Sequence, residues 1–125
     1  MRLIDSQATA PEGALVIANT ENVLSLGAGI ESAKLVILNF PKWTDGRAYS
    51  QAFLLRARLS FGGEIRATGD VLVDMLPLLR RCGFDSAQLR ADQNHEAALA
   101  TLGQFPGHYQ GDAAGERPAF AGLAA

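Results

Sequence analysis

The chain has 125 residues, of which 48% are apolar and 19% are charged, and its formal net charge is −2. These values are typical of one soluble globular domain and exclude wholesale disorder. They give no sign of the strongly basic face that duplex nucleic acid requires, so nucleic acid is not an expected ligand. The single cysteine, Cys82, excludes an internal disulfide and any metal or iron–sulfur site built on several thiolates of this chain.

The sequence predicts a cytoplasmic protein without a membrane segment. Residues 1–5 lack the apolar core of a secretory signal. The longest apolar runs, around residues 35–38 and 71–79, are too short or too interrupted to span a bilayer. A lone thiol is typical of a reducing compartment.

The first third of the chain is predicted to contain two strands. Residues 1–13 show no sustained period and are predicted to be an extended lead-in. Residues 14–18 form a short apolar run rich in β-branched residues, which favours a strand. A loop with one helical turn is expected over residues 19–33. Residues 34–40 give the clearest strand, because an almost unbroken apolar run is typical of a parallel strand covered on both faces.

The middle of the chain changes period and predicts a helix between two further strands. Apolar residues recur at helical spacing over residues 47–60, and Thr44 or Asp45 can act as the N-cap of this helix. Residues 64–68 and 86–90 alternate between polar and apolar side chains, as strands with one buried face do.

Two more helices follow the alternating strands. The first is predicted over residues 71–82 with Asp70 as its N-cap, and Pro77 is expected to kink it because proline cannot donate a backbone hydrogen bond. The second is predicted over residues 92–102 with Asp92 as its N-cap.

These elements predict a single α/β domain over residues 1–125, with a flexible tail over residues 111–125 that is rich in Ala, Gly and Pro. Strands that alternate with helices indicate a parallel sheet with right-handed crossovers. Two architectures fit, a small open doubly wound sheet and a half-barrel of consecutive βα units. The second is favoured because two strands carry a polar face, which would line a groove, a barrel-like interior or a contact with a second copy. The alternative is that this face is an exposed sheet edge that carries charge. That polar face consists of Glu64, Arg66, Thr68, Ser86, Gln88 and Arg90.

A ligand site is predicted beyond the carboxyl ends of the strands, where three loops each lead into a helix N-terminus that attracts anions. Several of these residues are cationic, which suits a small oxyanion. The candidate ligand-binding residues are Lys42, Trp43, Thr44, Arg47, Arg66, Thr68, Gly69 and Arg90. Asp45 and Asp70 are candidate general bases. Taken singly, each of the two aspartates is better explained as a helix cap than as a base, and Arg47 could simply pair with one of them or with a backbone carbonyl.

Other chemical motifs are weaker, and no cofactor or metal site is predicted. Cys82 has no second cysteine with which to form a redox pair. His95 and Glu96 lack the second histidine of a zinc-protease helix. The Gly-Ala-Gly at residues 27–29 is only a fragment of a dinucleotide fingerprint.

Three blocks in the centre of the chain carry a family resemblance. They are the FPKWTDGRAYS block at residues 40–50, GEIRATGDVL at residues 63–72 and LRRCGFD at residues 79–85. Together they resemble a bacterial family known as domain of unknown function 934, and the resemblance covers residues 34–90. That family is commonly described as a probable oxidoreductase involved in sulfite reduction.

The resemblance implies a role in assimilatory sulfur metabolism, with sulfite reductase or its electron donor as the partner. Sulfite reduction requires a cofactor, and the sequence offers no cluster ligands and no complete nucleotide fingerprint. A non-catalytic accessory protein that binds an oxyanion is therefore the expected function. The alternative is a small βα enzyme that acts on an anionic metabolite with Asp45 or Asp70 as general base. A homodimer that buries the polar sheet face or the helix at residues 71–79 is a further hypothesis.

Overall fold

The computed structural model describes residues 1–103, which form an α/β fold around one parallel sheet. The sheet has five strands, and every pairing between them is parallel. The strands are β1 (Arg2–Ile4), β2 (Leu15–Ile17), β3 (Leu35–Phe40), β4 (Glu64–Gly69) and β5 (Ser86–Gln88).

Each strand from β2 onward is followed by helical structure. Short 3-10 helices at Val23–Ser25 and Val73–Met75 precede the first and third α-helices. The α-helices are α1 (Ala28–Ser32), α2 (Arg47–Ala57), α3 (Leu76–Arg81) and α4 (His95–Thr101).

The strand order in the sheet is β1-β5-β4-β3-β2, so the strands from β2 to β5 lie side by side in chain order. Consecutive parallel strands joined by right-handed crossovers place all the connecting helices on the same face of the sheet. The described residues therefore form an α/β fold of repeated βα units.

The hydrophobic core lies between the helices and this one face of the sheet. Val36, Leu38 and Phe40 of β3 alternate with side chains that point to the other face, as the two-residue period of a strand requires. They form one buried cluster with Ile65 and Ala67 of β4 and with helical residues of α2, α3 and α4. Burial of this apolar surface is the main source of stability for the fold.

The second face of the sheet is polar and is also closely packed at its centre. Ile37, Arg66 and Ser86 occupy neighbouring positions on β3, β4 and β5, and all three are buried. The Gln88 side chain on β5 donates hydrogen bonds to the carbonyls of Asp5 and Ala8, so the segment after β1 crosses this face.

The N-terminal residues depart from the prediction of a plain extended lead-in. Arg2–Ile4 forms an edge strand that pairs with β5, more than eighty positions away in the chain. Three residues carry too short a pattern to predict a strand, and the pairing depends on the tertiary position of β5. The predicted tail at residues 111–125 lies outside the described residues.

The predicted helix over residues 71–82 is wrong in its first half. A 3-10 turn occupies Val73–Met75, and α3 begins at Leu76 with Pro77 in its first turn. Proline is well tolerated there because the first helical N–H groups have no partner within the helix, and the expected kink does not occur. Asp70 does not cap this helix.

Helix capping also differs from the prediction at α2 and α4. Asn94, and not Asp92, is the N-cap of α4, where its Oδ1 atom accepts a hydrogen bond from the Ala97 N–H at 3.0 Å. Gly46 occupies the N-cap position of α2 without a side-chain bond, although Asp45 accepts the Arg47 N–H at 3.1 Å. Neighbouring polar residues compete for one capping position, and the chain path into the helix decides between them.

Within residues 1–103, no helix is long and apolar enough to cross a membrane.

Candidate functional site

The loops at the carboxyl ends of the strands are cross-linked by Asp70, which follows β4. One carboxylate oxygen of Asp70 accepts the backbone N–H of Trp43, after β3, at 2.8 Å. The other oxygen accepts from the Arg90 guanidinium, after β5, at 2.6 Å. Asp70 therefore joins the loops that follow three neighbouring strands.

Arg90 extends this network to Asp92. Its Nε and Nη2 atoms donate to the two oxygens of Asp92 at 2.7 and 2.8 Å, in the bidentate geometry that favours arginine–carboxylate pairs. The hydrogen bonds from Arg90 lower the pKa of Asp92 to about 2. The hydrogen bond from Arg90, followed by that from the Trp43 N–H, also lowers the pKa of Asp70.

Asp45 makes a second cross-link, between the loops that follow β2 and β3. Its carboxylate accepts from Nε and Nη2 of Arg47, and from the Asn19 side-chain amide at 2.8 Å. The Arg47 side chain and the Arg47 backbone N–H hold the pKa of Asp45 well below its usual range, and Asn19 adds to the shift. Asp45 is therefore an ionised, fully engaged carboxylate at neutral pH.

The network determines what the two aspartates can do chemically. A general base is most effective when its pKa lies near the working pH, and a strongly stabilised carboxylate is a weak base. Asp45 and Asp70 both have lowered pKa values and make hydrogen bonds with both of their oxygens. Their arrangement suits holding loops in position better than it suits removing a proton from a substrate.

The remaining predicted residues of this edge are mostly exposed. Lys42 and Thr44 are exposed and flank Trp43, which exposes 54% of its surface. Thr68 is half-buried at the end of β4. Gly69 has a φ of +96°, and a Cβ atom there would lie only 2.4 Å from the Phe40 carbonyl oxygen, so β3 and β4 approach closely at this point.

Arg66 does not join this group. Its side chain is buried and bonds to Glu64 at 3.1 Å and Ser86 at 3.3 Å, with Glu64 at the amino end of the strand. Arg2 also binds Glu64, at 2.8 Å. Burial opposes the ionisation of Glu64, but the hydrogen bonds from Ser86 and Arg66 outweigh it and lower the pKa of Glu64. Arg66 thus belongs to a network on the polar sheet face.

Two polar residues that no sequence pattern indicated also shape the carboxyl edge. Asn19 is buried against Asp45. Gln51 of α2 is buried and donates to the carbonyls of Ala18 and Glu21, which holds the loop after β2 against the helix. The only signal in the sequence is a glutamine at a core-facing position of a helix, which is weak because glutamine is also common on helix surfaces.

The opposite edge of the sheet, formed by the amino ends of the strands, is organised around Arg56. Its guanidinium donates to the carbonyls of Phe61, Gly63 and Gly83 and pairs with Asp85. This edge also contains a shallow depression of about 310 Å³, which is lined by Arg2, Gly62, Gly63, Glu64 and Asp85.

The part of the chain from residue 1 to residue 103 brings no three histidine, cysteine or acidic side chains into a group that could hold a metal ion. Cys82 is a free, half-buried thiol, and burial raises its pKa, which disfavours the reactive thiolate.

Comparison with known proteins gives one relationship. No curated protein and no solved structure matches the chain. Residues 14–120, which are most of the chain, match the family described as bacterial protein of unknown function (DUF934). The chain therefore belongs to the DUF934 family.

Proposed function

We propose that this protein is a non-catalytic accessory protein of assimilatory sulfate and sulfite reduction, which acts by binding the reductase or the protein that supplies its electrons. The sulfur assignment is supported by the resemblance of residues 34–90 described above. The accessory assignment is supported by the chemistry of the carboxyl edge, which is where α/β folds of this kind usually place a functional site.

The single observation that carries the accessory role is the use of Asp45 and Asp70 as cross-links between loops. Each aspartate has its two oxygens engaged by an arginine and by a backbone or amide N–H. A reaction that needs either group as a base would have to break these bonds in every cycle. A binding protein benefits from them instead, because a surface held in one conformation loses less entropy when a partner docks.

The cationic character of the edge is reduced by the same contacts. Arg47 is paired with Asp45, and Arg90 is paired with two aspartates. Lys42 remains without an ion pair among the described residues and is therefore the main group available to an oxyanion. A small oxyanion such as sulfite would bind weakly at this edge, because one exposed ammonium group gives only a modest attraction in water.

The role in sulfur assimilation is tested by growth of a strain that lacks the gene. We expect loss of growth on sulfate and on sulfite as sole sulfur sources, with rescue by cysteine. Normal growth on all three sources, in a strain without a second copy of the gene, would contradict the proposal.

The non-catalytic role is tested in the same strain by complementation with Asp45→Asn and Asp70→Asn variants. An asparagine keeps one acceptor oxygen but cannot act as a general base. We expect both variants to restore growth once their soluble expression has been verified. Failure of a well-folded Asp70→Asn protein to restore growth, with rescue by the native gene, would instead support the enzyme with an aspartate base.

A further inference from the structure

Trp43 lies exposed on a loop whose backbone is tightly held. More than half of its surface faces solvent, and it is not among the residues that pack against the hydrophobic core. Its backbone N–H is bound to Asp70 at 2.8 Å, and the neighbouring turn is closed by the bond from the Asp45 N–H to the Lys42 carbonyl at 2.9 Å. The loop therefore presents a large aromatic side chain from a fixed position.

The charges around Trp43 are predominantly negative once the ion pairs have been taken into account. Arg47 and Arg90 are neutralised by the aspartates that hold them. The loops and helix starts of this edge keep four acidic side chains without an ion pair among the described residues, against the single base Lys42. These acids are Asp5, Glu21, Asp74 and Glu96, and all of them are exposed.

The opposite edge of the sheet has the reverse character. Lys34 precedes β3, Arg58 follows α2, and Arg81 ends α3, so all three lie at the amino ends of the strands. Each is exposed and forms no ion pair with the described residues. Two exposed acids without an ion pair among the described residues, Glu12 before β2 and Glu31 near the end of α1, also lie toward this edge. Unpaired bases still outnumber unpaired acids there, whereas unpaired acids outnumber unpaired bases at the carboxyl edge.

From this juxtaposition we propose that the carboxyl edge is a docking surface on which Trp43 anchors a basic protein partner that offers an apolar pocket. The inference rests on the proposed accessory function and specifies the surface that performs it. Tryptophan is enriched among residues that dominate binding energy, since it buries a large area with few rotatable bonds. The surrounding acids steer a positively charged partner, and a partner arginine gains further by stacking on the indole ring.

The experiment measures binding of immobilised full-length protein to two purified probes, the sulfite reductase holoenzyme and its electron-donor protein from the same organism. Trp43→Ala is compared with Phe53→Ala, because Phe53 on α2 is exposed to a similar extent, 59%, but lies outside the carboxyl edge. We expect the Trp43 variant to lose at least about tenfold in affinity for one probe. We expect Phe53→Ala to bind like the native protein.

The same assay tests whether the acidic side chains around Trp43 speed the association with the partner. Asp74→Lys is expected to slow association and Lys34→Glu to leave it unchanged, and the native association rate is expected to fall as salt is raised. Native-like binding by Trp43→Ala would overturn the docking surface while leaving the accessory function intact.

Absence of binding to both probes would count against the accessory function. In that case the docking surface is tested separately, by photo-crosslinking in cells. A photo-crosslinking amino acid is placed at position 43 and, as the control, at position 53. Adducts from position 43 alone, to a partner peptide rich in Arg or Lys, support the surface. No adduct from position 43, or equal adducts from both positions, overturns it. Self-association that depends on Trp43 in light scattering would also overturn it, since the occupant would then be a second copy.

Discussion

The loops at the two edges of the sheet are held together by side chains of opposite charge. At the amino edge, the loops after α2 and α3 are held by the guanidinium of Arg56, which is 10% exposed and donates to three backbone carbonyls. At the carboxyl edge, the loops are held by the carboxylates of Asp45 and Asp70, which accept N–H groups and arginine side chains.

The polarity of the main chain favours this difference, and the groups that Arg56 and Asp70 bind belong to the loops next to the helix ends. Helices end at the amino edge, where their last carbonyls lack partners, and they begin at the carboxyl edge, where their first N–H groups lack partners. A donor side chain suits the first edge and an acceptor suits the second, and the helix dipoles favour the same charges. The Arg56 guanidinium is largely enclosed by the loops that it holds, whereas the carboxyl-edge clamps are surrounded by exposed side chains such as Lys42 and Trp43.

The largest effect is expected from removal of the buried clamp. Arg56→Ala removes the donor from three backbone carbonyls, while Asp85 keeps its bond from the Ile65 N–H, so we expect a loss of about 3 kcal/mol or more in the free energy of unfolding. Urea denaturation measures this loss. Arg58→Ala, which removes an exposed arginine two positions along the chain, is the control and should change stability by less than about 0.5 kcal/mol. Similar losses for the two variants would refute the contrast between the edges.

The second-largest loss of stability is expected where β3 and β4 approach closely at the carboxyl edge. Gly69→Ala places a Cβ atom against the Phe40 carbonyl at a positive φ, and we expect it to cost at least about 1–3 kcal/mol. Gly62→Ala has open space around the new Cβ atom and serves as the control. A thermal shift for Gly69→Ala no larger than that of the control would contradict the tight approach.

A smaller effect separates the two candidate caps of α4. Asn94→Ala removes the oxygen that accepts the Ala97 N–H, and we expect it to cost about 1 kcal/mol in denaturant unfolding. Asp92→Ala should cost less, because that carboxylate binds only side chains at the surface. A larger loss of stability for Asp92→Ala than for Asn94→Ala would support Asp92, the N-cap predicted from the sequence.

The smallest effect concerns the acid dependence of stability. The pKa of Asp70 is lowered in the folded protein, so the unfolded chain binds more protons below the ordinary value of 3.8. The stabilisation by this carboxylate is therefore present above about pH 4 and is lost as pH falls through the lowered pKa. Asp70→Asn should be less stable near neutral pH and should lose less stability on acidification. Unfolding by urea at several pH values tests this, with the exposed Asp74→Asn as control. If the free energy of unfolding of Asp70→Asn changes with pH as steeply as that of the native protein, the Asp70 ion pair contributes nothing to stability in solution.

Periodicity predicted the fold class because alternating strands and helices have few ways to bury their apolar faces. The apolar run at residues 34–40 and the alternation at residues 64–68 correspond to β3 and β4. Element ends were harder to predict, as Pro77 shows. A proline within an apolar run can kink a long helix or lie in the first turn of a short one, and the sequence around it does not distinguish these outcomes.

The place of the candidate residues in the fold was easier to predict than the contacts between them. Lys42, Trp43 and Asp70 were expected at the carboxyl edge because parallel strands bring the loops after them together. The pairing of Arg90 with Asp70 was not predicted, since it joins side chains from two loops that are 20 positions apart in the chain, and the local pairing of Arg90 with Asp92 was not predicted either. The site therefore carries less free positive charge than a count of its arginines suggests.

The sequence by itself determined the βα repeat, the core-facing residues and the edge at which the polar loops meet, because each follows from local periods and the rules of chain connection. Only the tertiary structure decided that Arg2–Ile4 joins the sheet, that Arg66 turns to Glu64, and that the aspartates act as clamps. These outcomes depend on which charged groups come within hydrogen-bonding distance. For the β1 pairing and for the bond from Trp43 to Asp70, that distance is set by packing between segments far apart in the chain, which no local pattern of residues encodes. Glu64 and Arg66 lie only two positions apart, but both residues also bind Ser86 of the neighbouring strand.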